Sequence, residues 1–135
     1  MHIEVRYLSK SGNTKKVADA IAQATGCEAL SIEHGVAQDT DVLFLGAAVY
    51  AAGVDQQMKD FINQLGANIK KVVVFSTAAV LKSSYPQMKK LLEERNIKAD
   101  SREFHCRGAF AVMHKGHPNA DDLAAARKFA KGIVS

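Results

Sequence analysis

Ile3-Glu4-Val5-Arg6-Tyr7-Leu8 followed by Ser9-Lys10-Ser11-Gly12-Asn13-Thr14 is the stretch that decides the fold of this 135-residue chain. The first half is an apolar run of strand character. A helix-like pattern begins directly behind the second half: Val17, Ala20, Ile21 and Ala24 recur at helical spacing, and Gly26 supplies a stop. A strand that turns through such a loop into a helix points unsatisfied backbone N–H groups at one spot, where the helix dipole also favours negative charge. An ordinary helix cap needs one hydroxyl or amide. This loop offers three hydroxyls, an amide and a glycine, and so reads as a phosphate cradle. It lacks the first glycine and the Gly-Lys-[Ser/Thr] ending of a Walker loop, and it lacks GxGxxG, which sets aside nucleotide hydrolysis and dinucleotide binding.

Working outward, strand-like and helix-like segments alternate. Cys27–Ile32 reads as a short second strand. Val42-Leu43-Phe44-Leu45-Gly46 is a continuous apolar run, the pattern of a strand buried on both faces. A loop is expected over Ala47–Asp55, then a helix with Met58, Phe61, Ile62 and Leu65 on one side. Val72-Val73-Val74-Phe75 is the next buried strand, opening into Ser76-Thr77-Ala78 and a long connector up to Pro86. The following helix carries Met88, Leu91 and Leu92 and ends near Asn96. A fifth strand region lies in Ser101–Met113, with a break at Arg107-Gly108 that reads as a bulge or a split strand. Asn119 or Asp121 caps a last helix whose apolar side holds Leu123, Ala126, Phe129, Ala130 and Ile133.

Five strands alternating with helices over 135 residues define one doubly wound α/β domain with a parallel sheet. Ligands of such sheets bind beyond the carboxyl ends of the strands, where the winding reverses. The loops 9–14, 47–55 and 76–85 are expected to converge there.

Composition fits this reading: 47% hydrophobic and 24% charged residues, with a net charge of +4. No apolar run reaches the roughly 18 residues of a membrane span, and Met1 leads into a strand, so a cytoplasmic location is expected. Lys and Arg are dispersed and no aromatic-rich basic stripe exists, which argues against nucleic acid. Cys27 and Cys106 match no CxxC or metal spacing and read as buried free thiols. His34, His105, His114 and His117 lack a completing cluster and read as surface residues, so no metal is expected.

With these residues in view, the chain resembles a short-chain flavodoxin over nearly its whole length. Ser9-Lys10-Ser11-Gly12-Asn13-Thr14 matches that family's FMN-phosphate loop, [ST]-x-[ST]-G-x-T. The resemblance implies a 2-1-3-4-5 strand order, bound FMN and electron transfer between redox protein partners. It assigns the hydroxyls of Ser9, Ser11 and Thr14 and the backbone N–H groups of Gly12 and Asn13 to the phosphate. Lys10 belongs to the same loop, at its variable position, with a solvent-facing side chain. Tyr50 is implied as the aromatic that stacks on the flavin or shields the phosphate side. Ala48, Val49, Ala51, Ala52 and Gly53 would contact the ring edge, where Gly53 could let a carbonyl turn toward flavin N5. Ser76, Thr77 and Ala78 would line the other side.

The sequence departs from the family in being basic and in lacking Trp. Cations near a reduced flavin stabilise its negative charge, so a less negative second potential than in an acidic flavodoxin is expected. The same charge favours acidic partners. A monomer or weak dimer is expected. The alternative is an FMN-dependent oxidoreductase acting on a quinone or porphyrinogen. The Gly46–Gly53 segment resembles the corresponding loop of menaquinone-dependent protoporphyrinogen dehydrogenases, but the chain has no room for their insertion near the fifth strand.

Overall fold

The computed structural model describes residues 1–36, 38–49, 53–78, 83–107 and 116–135, with the backbone alone for Val49, Ala78 and Arg107. Its strands are β1 (Ile3–Leu8), β2 (Ala29–Ser31), β3 (Val42–Val49), β4 (Val72–Ala78) and β5 (Ala99–Arg107). Its helices are α1 (Asn13–Thr25), α2 (Gln56–Gln64), α3 (Tyr85–Glu94) and α4 (Ala120–Val134). The strands form one sheet in the order β2-β1-β3-β4-β5, with every pair parallel. The expected strand order is therefore the observed one.

Alternation along the central strands builds two cores from one sheet. Leu43, Leu45, Val72 and Val74 pack against Met58, Phe61 and Ile62 of α2 and Met88 and Leu92 of α3. Phe44, Val73 and Phe75 face the opposite way, onto Val17, Ala18 and Ile21 of α1 and Ala126 and Ala130 of α4. Strands covered on both faces need apolar residues at consecutive positions, which is why Val42–Leu45 and Val72–Phe75 show no polar alternation. Phe104 of β5 meets Phe129 of α4 with ring centroids 5.8 Å apart.

Two strands run further than expected. Ala47, Ala48 and Val49 extend β3 and pair with Ser76, Thr77 and Ala78, which extend β4. Small and hydroxylated residues carry a weak strand signal by themselves; the ladder between the two segments supplies what propensity lacks. The loop after β3 thus begins beyond Val49. Gly108, the second residue of the expected break, and the apolar run 109–112 lie outside the described residues. The described irregularity falls earlier: Val72 pairs with Ala99 but Val74 with Glu103. Asp100 occupies the excess. It accepts from the Arg102 backbone N–H at 2.8 Å and from the Arg102 guanidinium at 3.0 Å, and Lys71 Nζ lies 3.2 Å away.

The Arg102 guanidinium and N–H, with Lys71, hold the buried Asp100 carboxyl well below the usual carboxylate range. A carboxyl depressed in the folded state stabilises fully above its unfolded value of about 3.9, and the contribution disappears as pH falls below that value. Asp100→Asn is expected to lower stability at neutral pH by about 1–2 kcal/mol and to flatten the acid limb. Denaturant midpoints measured from pH 7 down to about 2 check this; equal slopes below about pH 4 for the two proteins would refute it.

Candidate functional site

The winding direction reverses between β1 and β3, so the crevice of this sheet opens where the loops after those strands part. The loop after β1 is the Ser9–Thr14 segment. Gly12 stands at the N-cap of α1 with φ +90° and ψ −6°, and no side chain caps the helix. That left-handed geometry favours glycine, since any Cβ there strains the backbone by about 1–2 kcal/mol. No acidic residue occupies the first turn. By contrast α2 begins with the Asp55 carboxylate accepting from Gln57 N–H, and α4 begins with a reciprocal Asn119–Asp122 capping box. Asn119, and not Asp121, caps α4.

Within the loop, the Ser9 hydroxyl accepts from the Gly12 N–H at 3.0 Å, which fixes the bend. Ser11 is exposed, Asn13 is buried, and Thr14 is 1% exposed. The Thr14 Oγ1 lies 2.9 Å from Thr77 Oγ1, a buried hydroxyl pair joining the start of α1 to the end of β4. The Lys10 side chain is 55% exposed, in keeping with a solvent-facing position, and its ammonium pairs with Asp55 Oδ2 at 2.7 Å. Asp55 therefore caps α2 and receives Lys10 at once.

The other expected site residues that the structure describes lie at the same end of the sheet. Ala48, Val49 and Ala78 terminate β3 and β4 side by side. Gly53 has φ +91°, and Val54 N–H donates to Gln87 Oε1 at 2.9 Å, tying the loop to α3. Ser76 is fully buried and its hydroxyl accepts from Ser84 N–H at 3.3 Å. Thr77, 2% exposed, faces Thr14. Tyr50, Ala51 and Ala52 lie outside the described residues, as does the connector 79–82.

Three arrangements here leave no local signal in the sequence: Lys10 with Asp55, Thr14 with Thr77, and the contact of Gly46 with Phe75. A Cβ built on Gly46 would sit 2.1 Å from Phe75 Cε2. A fourth joins β1 to the turn after β2. Arg6 is buried and donates to the carbonyls of Val5 (3.0 Å), His34 (3.0 Å) and Gly35 (3.2 Å), with Glu4 Oε1 at 2.8 Å. It anchors the turn that follows β2.

Both cysteines are free and half-buried rather than fully buried. Burial, helped by the negative charge of Asp122, pushes the Cys106 thiol up to about 12. Burial also raises Cys27, against an opposing hydrogen bond from Thr25. His117 Nδ1 pairs with Asp122 Oδ2 at 2.7 Å. Among the described residues no group of three or more His, Cys, Asp or Glu is placed to hold a metal ion, and no helix is long and apolar enough to cross a membrane.

A parallel 2-1-3-4-5 sheet with a glycine-capped helix start at its switch point defines a flavodoxin-like protein. The flavodoxin domain family matches residues 5–113, and the chain belongs to that family, whose cofactor is a flavin, typically FMN. An uncharacterised protein of Methanocaldococcus jannaschii is 27% identical over 136 residues, covering 90% of each chain. A flavodoxin from the domain Archaea superposes with a TM-score of 0.78 at 17% identity, covering 98% of this chain and 96% of that one. Oxidised flavodoxin 2 from Bacillus cereus superposes with a TM-score of 0.72 at 19% identity, covering 99% and 98%.

Proposed function

We propose that this protein binds FMN in the crevice between the loops after β1, β3 and β4 and carries electrons between redox protein partners. The observation that supports this most is the start of α1. It lies at the switch point, is capped by a glycine in the left-handed region, and has no side-chain cap and no acid in its first turn. A helix start of this kind suits a phosphate dianion, because the donors and the dipole both favour negative charge.

The chain's residues fit the group in kind. Ser11 and the backbone N–H of Asn13 would hold the phosphate, joined by the Ser9 hydroxyl, whose oxygen keeps the Gly12 N–H and whose proton is left to donate; Gly12 would shape the turn, and Thr14 and Thr77 would form a hydrogen-bonded floor beneath it. Lys10 belongs to the same loop, braced by Asp55. Ala48, Val49 and Gly53 on one side, and Ser76 and Ala78 on the other, would frame the ring through their backbone. Tyr50, Ala51 and Ala52, outside the described residues, belong to the proposed binding set by their place in the sequence. FMN supplies the one- and two-electron chemistry when bound; the chain binds it, orients it and sets the local charge. With Asp55 neutralised by Lys10, the described flanks carry little negative charge, which favours a less negative second potential. The net charge of +4 suits acidic redox partners.

Titrating purified protein with FMN tests the reading. A one-to-one endpoint with quenched flavin fluorescence is expected, followed by reversible reduction without turnover of quinone or porphyrinogen. Failure to bind FMN would end the proposal.

A further inference from the structure

We propose that Lys10 and Asp55 form a charge clasp across the mouth of the switch-point crevice and slow the escape of the phosphorylated flavin held there. This rests on the flavin reading above. Lys10 comes from the loop after β1 and Asp55 from the loop after β3, the two loops between which the crevice opens. They are 45 residues apart in sequence, yet Lys10 Nζ and Asp55 Oδ2 are 2.7 Å apart. The pair is therefore a direct link between the two lips.

Its two members differ in exposure. Asp55 has a second hold on the fold: its other oxygen accepts the Gln57 N–H at 2.8 Å and closes the start of α2. Lys10 reaches it on a long stem, 55% exposed. Lys10, and then the Gln57 N–H, hold the Asp55 carboxyl below its ordinary value, so the pair is charged at neutral pH. An exposed ion pair contributes modestly and is weakened by salt. A modest, salt-sensitive link suits control of ligand exchange better than permanent closure. Lys10 and Asp55 are thus positioning residues: they act on how the lips part, not on the phosphate itself.

A different role for Lys10, direct pairing with the phosphate, predicts the opposite response at Asp55. Removing the carboxylate would then release Lys10 to the phosphate and slow flavin loss. Under the clasp, removing either charge speeds it. Asn is itself a good N-cap, so Asp55→Asn keeps α2 closed while losing the charge.

The test measures FMN dissociation by fluorescence recovery on dilution, after wild-type binding has been established by titration. Lys10→Met and Asp55→Asn are each expected to dissociate about threefold faster. The double variant should be no faster than either single one, because both remove the same link. Lys10→Arg should keep the wild-type rate. Salt at about 0.5 M should bring wild type to the rate of the variants and leave the variants unchanged. A slower or unchanged Asp55→Asn rate overturns the clasp while leaving FMN binding intact. Absence of FMN binding by wild type overturns the flavin reading and the clasp with it.

Discussion

Gly46→Ala is expected to lower the unfolding free energy by about 3 kcal/mol or more, a large share of the stability of an ordinary domain. The added methyl would lie 2.1 to 2.6 Å from three ring atoms of Phe75. Gly46 and Phe75 are direct partners in the β3–β4 ladder, and Phe75 is fully buried against α1 and α4. The ring has no vacant direction, because close-packed interiors hold few voids. Either the ring leaves its rotamer or the two strands separate, and both disturb the centre of the sheet. A compensating change follows from the same contact. Phe75→Leu alone should destabilise by about 1–2 kcal/mol, yet Gly46→Ala combined with Phe75→Leu should be more stable than Gly46→Ala alone. Denaturant unfolding of the four proteins measures this. A Gly46→Ala protein as stable as wild type would show that the contact is not the reason for the glycine.

Gly12→Val is expected to weaken FMN binding by about a hundredfold or more while changing riboflavin binding far less. Among the described residues nothing lies within 4 Å of a Cβ at Gly12, so no described core contact is at stake. The objection comes from the backbone: a β-branched residue at φ +90° is an outlier whose strain the loop relieves by turning. Turning re-aims the N–H groups at the start of α1. Hydrogen bonds to a charged group are worth about 1.5–3 kcal/mol each, so losing two corresponds to two or more decades of affinity. Riboflavin lacks the phosphate and serves as the internal control. Fluorescence titrations with both flavins give the ratio. Equal losses for FMN and riboflavin would place the effect outside the phosphate loop, and no loss for either would remove the loop from the site.

Most of the architecture was legible because it rests on local signals. The apolar runs at Val42–Leu45 and Val72–Phe75 and the helical spacing of Val17, Ala20, Ile21 and Ala24 each declare themselves within a few residues, whereas the choice of Asn119 over Asp121 as the last cap needed the folded capping box. The strand extensions through Val49 and Ala78 did not declare themselves either, because Ala47, Ala48, Ser76 and Thr77 become strand only by pairing with each other across 29 residues. The turn from β1 through Gly12 into α1 was legible from the glycine and the helical spacing behind it, but the bracing of loop 9–14 was not. Thr14 finds Thr77 across 63 positions, and Lys10 finds Asp55 across 45. The burial of Arg6 has no local signal either, because its guanidinium is held by carbonyls of a turn nearly thirty residues away. Contacts of that range are set by the assembled sheet and leave no periodic trace in the chain.

The condition of the two thiols has a practical corollary. With both sulfurs half-buried and biased toward the protonated form, the nucleophilic species is scarce at neutral pH. A cysteine introduced on an exposed helix face, at Gln23 or Lys131 for instance, would outcompete the native pair for a maleimide dye. The wild-type background can thus be kept intact for single-site labelling, with no need to strip Cys27 and Cys106 from the fold first.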